Sequence, residues 1–193
     1  MQSAPNAVEP LLSGAHGGQQ SFAFPGARWR EWTAHLDRNS AMLDALPIAL
    51  DRRATAYLVE DLLPGDVIAA FTAAMIRGHG SCGDGPYRTV EVEGYRFPNN
   101  RPGKIADLGP AFFTKWLHFV TARGDSAAAV AAHVLDALVI SWLYTRAGVS
   151  LRTGYTDDYA RYIETLTSWC APHGLTAPEV EERIFRLIRS DGS

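Results

Sequence analysis

Two charged side chains interrupt apolar runs of this chain, where an unpaired charge is costly. Lys115 stands in the middle of Pro110-Ala-Phe-Phe-Thr-Lys-Trp-Leu-His-Phe-Val120, and Asp136 stands inside His133-Val-Leu-Asp-Ala-Leu-Val139. The chain has two lysines, Lys104 and Lys115, against sixteen arginines. Where positive charge alone is wanted, the sequence uses arginine, so Lys115 needs its own reason. A neutral amine attacks an electrophilic carbon, and an ammonium does not. A carboxylate close to Lys115 could pair with it or keep the amine available. A snorkelling lysine and a helix N-cap aspartate remain open readings of the same pattern.

The elements that must position the two residues read as helices. Pro110 after Gly109 suits a helix start, and the helix from Ala111 to Val120 is apolar nearly all round, as in a buried helix. Spacings of three and four predict helices over 28–44, 51–63 and 67–77, the last capped by Asp66. Asp125-Ser126 is read as the cap of an alanine-rich run leading into the helix that holds Val134–Leu143 and that Gly148 ends. Thr156-Asp-Asp158 opens another helix, and Thr176-Ala-Pro-Glu179 opens the last one as a capping box. Residues 78–88 form a glycine-dense loop whose G-x-G-x-x-G spacing follows a helix rather than a strand, against a dinucleotide site. Residues 89–96 alternate and could form a short strand. The expected fold is mainly α, seven or eight helices around one core. A flexible tail covers 1–27 and a single helical domain covers 28–193.

Composition narrows the classes. A hydrophobic fraction of 47% and a charged fraction of 20% suit a globular chain. The net charge of −3 gives no global basic signal, so nucleic-acid binding would need a local patch. No run approaches the ~18 apolar residues of a membrane span, and no signal peptide is evident. The cytoplasm is the expected location and no membrane partner is expected. Cys82 and Cys170 read as thiols, not a disulfide framework. The six histidines show no zinc spacing, so neither a metal nor a cofactor is expected.

The stretch Leu108-Gly-Pro-Ala-Phe-Phe-Thr-Lys115, with Val134-Leu-Asp136-Ala-Leu-Val139 following, resembles the helix-hairpin-helix DNA glycosylase superfamily. It is most similar to the 8-oxoguanine glycosylase (OGG)-like branch and its bacterial group of small proteins. Gly-Pro-Tyr-Arg at 85–88 and Ala-Pro-Glu-Val-Glu-Glu-Arg-Ile-Phe at 177–185 add to the resemblance, which spans roughly residues 50–190. It implies a helical bundle of the helix-hairpin-helix glycosylase type, with a reduced first half. It also implies a DNA N-glycosylase acting on an oxidised or modified purine in double-stranded DNA, with or without AP-lyase activity, and a nucleoid-associated setting. Lys115 would be the nucleophile at C1′ and Asp136 its acidic partner. The flipped base would sit among Tyr87, Phe112, Trp116 and His118. Gly109 and Ala111 would offer backbone N–H groups to a phosphate, with Arg88 and Lys104 as basic contacts and Arg96, Arg101 and Arg123 flanking the same end. The hairpin here has one glycine, Gly109, and Lys115 falls six residues after it. A displacement of four residues keeps the amine on the same face, one turn further on; aligned strictly on Gly109, Ala111 takes the lysine's place. A non-catalytic DNA- or modified-base-binding module of this fold is the alternative, and a helical interaction protein the third reading.

Overall fold

The computed structural model describes residues 4–6, 8–14, 21–23, 25–34, 37–47, 49–79, 109–153 and 155–191. Among them nine helices and one two-stranded antiparallel pair account for the regular structure. The first half holds α1 (Glu9–Ser13), β1 (Phe22–Ala23), α2 (Gly26–Trp32), α3 (Asp37–Ala45), β2 (Ala49–Leu50), α4 (Arg52–Leu62) and α5 (Val67–His79). The second half holds α6 (Pro110–Ala122), α7 (Ala137–Ala147), α8 (Thr156–Cys170), a single 3-10 turn (Ala171–His173) and α9 (Ala177–Asp191). In β1–β2, Phe22 pairs with Leu50 and Ala23 with Ala49.

Local chemistry explains the helix starts. Asp51 caps α4 by accepting from the Ala54 N–H at 2.7 Å, and Asp66 caps α5 by accepting from the Ala69 N–H at 3.0 Å. At the start of α9 the Thr176 N–H donates to Glu179 Oε2 at 2.7 Å while the Glu179 N–H donates to Thr176 Oγ1 at 3.4 Å, a complete capping box. Gly148 closes α7 in the left-handed region at φ 66°, and its N–H bonds back to the Leu143 carbonyl.

The structure corrects three expectations. The helix expected over 28–44 is two helices, α2 and α3. Thr33 ends α2 by returning its hydroxyl to the Trp29 carbonyl at 2.8 Å, and its backbone leaves the helical region at ψ 14°. The alanine-rich run after Asp125 is not helical: turns and a bend occupy most of 126–131, residues 132–136 form no regular element, and α7 begins only at Ala137. Alanine's helix preference loses there to hydrogen bonds from distant side chains. The single core is two clusters. One joins α2–α6 around Trp29, Leu43, Leu50, Val59, Met75 and Phe119. The other joins α1 and α7–α9 around Leu12, Leu135, Leu143, Tyr162, Trp169 and Ile184.

Arg183 of α9 donates to the carbonyls of Leu11, Leu12 and Gly14 at the end of α1. The glycine-dense loop beyond His79 and the 89–96 alternation lie outside the described residues. No helix among the described residues is long and apolar enough to cross a membrane.

Candidate functional site

The irregular strap over 132–136 connects the two clusters, and side chains supply its hydrogen bonds. The Ala132 N–H donates to Thr121 Oγ1 at 2.7 Å, and His118 Nδ1 donates to the Ala132 carbonyl at 2.7 Å. The Tyr159 hydroxyl donates to the His133 carbonyl at 2.7 Å, and the Tyr162 hydroxyl to the Val134 carbonyl at 3.2 Å. The Val134 N–H donates to Glu181 Oε2 at 2.7 Å, and the Leu135 N–H to Thr114 Oγ1 at 3.0 Å. Buried backbone groups need partners; here α6, α8 and α9 provide them from six side chains. Burial pushes the Tyr159 and Tyr162 phenols up, Tyr162 well above its ordinary value, so both stay O–H donors.

The strap delivers Asp136 to Lys115. Thr114 grips Leu135, and on the adjoining pair of residues Lys115 Nζ lies 3.4 Å from Asp136 Oδ2. The two side chains are mostly buried, 16% and 19% exposed, yet both keep a solvent-facing edge. Asp136 divides its carboxylate between two tasks. Oδ1 accepts from the Leu138 N–H at 2.8 Å as the N-cap of α7, and Oδ2 faces the amine. The N-cap reading and the partner reading of Asp136 are therefore both realised by one residue. Lys115 Nζ also lies 5.1 Å from the Phe112 ring centroid, a cation–π distance.

A buried network stands behind the strap. Arg52 of α4 donates from Nη2 to Glu181 Oε1 at 3.0 Å and from Nε to His118 Nε2 at 3.0 Å. Arginine has no acceptor, so His118 must accept at Nε2 and donate from Nδ1, which sets its neutral tautomer. Glu181 is fully enclosed. Burial pushes its carboxyl above the ordinary range, opposed by Arg52 and the Val134 N–H. His133 is lowered to about 4, by burial first and the Arg52 charge second.

The predicted site residues fall into three groups. Lys115 and Asp136 meet. Phe112 and Trp116 are half-buried on α6, where Trp116 packs against Phe71 with centroids 5.3 Å apart, while His118 is fully buried and turned to the strap rather than to an open pocket. Gly109 is the N-cap of α6 with no side-chain cap, and Ala111 lies half-buried in its first turn. Tyr87, Arg88 and Lys104 lie outside the described residues, as do Arg96 and Arg101. Arg123 is corrected: it ends α6 at φ 47°, a helix length of about 20 Å from Gly109. Reading the sequence missed Arg52 and Glu181, although both carried a signal. Each is a charge on the apolar face of its helix, Arg52 with Ala56 and Val59, Glu181 with Ile184 and Phe185.

A family model described as "Putative 8-oxoguanine DNA glycosylase OGG-like protein" matches residues 89–185, just over half the chain. The chain belongs to this OGG-like family. No curated protein and no solved structure matches it. Membership supports a glycosylase-like or DNA-binding role. The matched OGG-like segment contains Lys115, Asp136, the strap and Glu181, whereas Arg52 comes from outside it. The first-half helices thus lock onto the OGG-like segment through a buried ion pair. Among the described residues, no group of three or more His, Cys, Asp or Glu is placed to hold a metal ion.

Proposed function

We propose that the protein is a DNA N-glycosylase that removes an oxidised or otherwise modified purine by attack of the Lys115 amine at C1′. The observation that carries this reading is the contact of Lys115 Nζ with Asp136 Oδ2 at 3.4 Å, in a chain of the OGG-like family. The modified nucleotide leaves the duplex stack, and Phe112 and Trp116 offer apolar surface beside the amine. Asp136 Oδ2 takes a proton from the ammonium. The neutral amine then forms a bond to C1′ as the glycosidic bond breaks, and the base departs with the electron pair and takes the proton that Asp136 had accepted. The carboxylate so regenerated offsets the positive charge left on the sugar and the attached amine. Opening of the sugar ring leaves a Schiff base between Lys115 and C1′, from which β-elimination would give AP-lyase activity. The Gly109–Ala111 start of α6 serves a phosphate through its N–H groups and dipole, with Arg88 and Lys104 as basic contacts.

Sodium borohydride reduces such a Schiff base to a stable amine, so a covalent protein–DNA species in a denaturing gel is the test. Duplexes carrying 8-oxoguanine and a panel of other modified purines are the substrates. The expected result is an adduct with at least one of them, lost in Lys115→Gln and reduced in Asp136→Asn. An adduct of equal yield in Lys115→Gln would remove the lysine assignment. Salt-dependent DNA binding with no base release by any protein would replace the enzyme with a binding module.

A further inference from the structure

An open groove of about 500 Å³ runs along the outer face of α7. It starts at Ala137, the residue next to Asp136, and is walled on the far side by the segment leading into α8. Its floor is apolar, with Ile140 and Leu151. Its rim carries Tyr144 and Tyr155, which are 65% and 55% exposed. Two tyrosines this exposed on one groove do nothing for the core. Arg152 is the charged residue that lines the groove, and no carboxylate does. Its guanidinium lies 4.1 Å from the Tyr155 ring centroid, while Asp158 fixes it through Nε at 2.7 Å and through its backbone N–H at 2.9 Å. The result is a held, planar cation on an aromatic face.

We infer that this groove is a binding site for unpaired nucleotides of the DNA strand, with Tyr144 and Tyr155 stacking the bases and Arg152 meeting a phosphate. It rests on the DNA-directed role proposed above and extends it to the flanking strand. Three features favour this occupant. The groove's volume lies in the roughly 300–1,000 Å³ range of small-ligand clefts. Every base has a π-face, so exposed aromatic rings bind single strands without a sequence code. The lining charge is positive and already stacked, which suits a phosphate beside a base.

The test uses the full chain and fluorescence anisotropy at low salt, with a labelled oligothymidylate and a blunt duplex of the same length. The wild-type protein is expected to bind the single strand. Tyr144→Ala and Tyr155→Ala are each expected to weaken that binding about tenfold, while Tyr144→Phe and Tyr155→Phe preserve it. Duplex affinity and borohydride trapping should stay at the wild-type level in all four variants. Thermal unfolding serves as the folding control, since both side chains are exposed. Wild-type binding of the single strand no tighter than that of an alanine variant overturns the inference. So does an equal loss on the blunt duplex. If trapping fails for every protein while tyrosine-dependent single-strand binding persists, the groove stands and the glycosylase reading falls.

Discussion

Replacing Arg52 by methionine tests whether a buried ion pair ties the first-half helices to the strap. The side chains of Arg52 and Glu181 are 8% and 4% exposed, with 3.0 Å between them. Methionine keeps most of the apolar stem but leaves the Glu181 carboxylate enclosed without its cation. Removing one partner of such a pair costs about 3–5 kcal/mol. Loss of the Arg52 Nε bond to His118 Nε2 adds about 1 kcal/mol. Against a total of about 5–15 kcal/mol for a domain, the urea midpoint should fall far. The loss should also depend on pH. Burial already raises the Glu181 carboxyl, and Arg52 is the strongest influence holding it down. Without Arg52 it rises further, so protonation favours the folded variant. The penalty is present in full above the raised value and shrinks as pH falls through it. Urea unfolding at pH 7.5 and pH 5 measures both effects, and Arg52→Met/Glu181→Gln should recover part of the loss at pH 7.5. An Arg52→Met variant within about 1 kcal/mol of wild type, or one whose deficit is equal at both pH values, would refute the reasoning.

The remaining expectations concern the strap and the helix ends. Thr114→Val removes the acceptor of the buried Leu135 N–H and should cost about 1–3 kcal/mol in urea unfolding. It should also slow borohydride trapping, because Leu135 adjoins Asp136; Thr114→Ser should restore both. His133, lowered to about 4, stays neutral in the fold while the unfolded chain takes its proton near 6.5. Stability from this group is complete above about 6.5 and falls as pH drops towards 4, by about 3 kcal/mol in all. Unfolding free energies across that window should show a shallower slope in His133→Phe. Thr176→Ala breaks the capping box of α9 and should lower stability by about 1 kcal/mol, seen as a lower melting temperature with no change in trapping.

The sequence by itself determined the helical class, most helix starts and the two residues of interest. Caps act within three or four residues, so Asp66 and Thr176 declare their helices without tertiary help. Lys115 and Asp136 stood out because a charge in an apolar run violates a local pattern, and such violations are readable one residue at a time. Their pairing was not readable. Twenty-one positions separate them, and the alanine-rich segment between them favours helix on propensity alone. A helix there would have carried Asp136 away from α6. The six side chains on α6, α8 and α9 decided otherwise, by satisfying a non-helical backbone that local preference would not select. His118 shows the same limit. Its position one turn after Lys115 placed it on the pocket side, but Arg52, sixty-six residues earlier, and the Ala132 carbonyl claim both ring nitrogens. Which charge meets which depends on contacts between distant segments. The tertiary structure therefore decided that Asp136 caps α7 with one oxygen and faces the amine with the other.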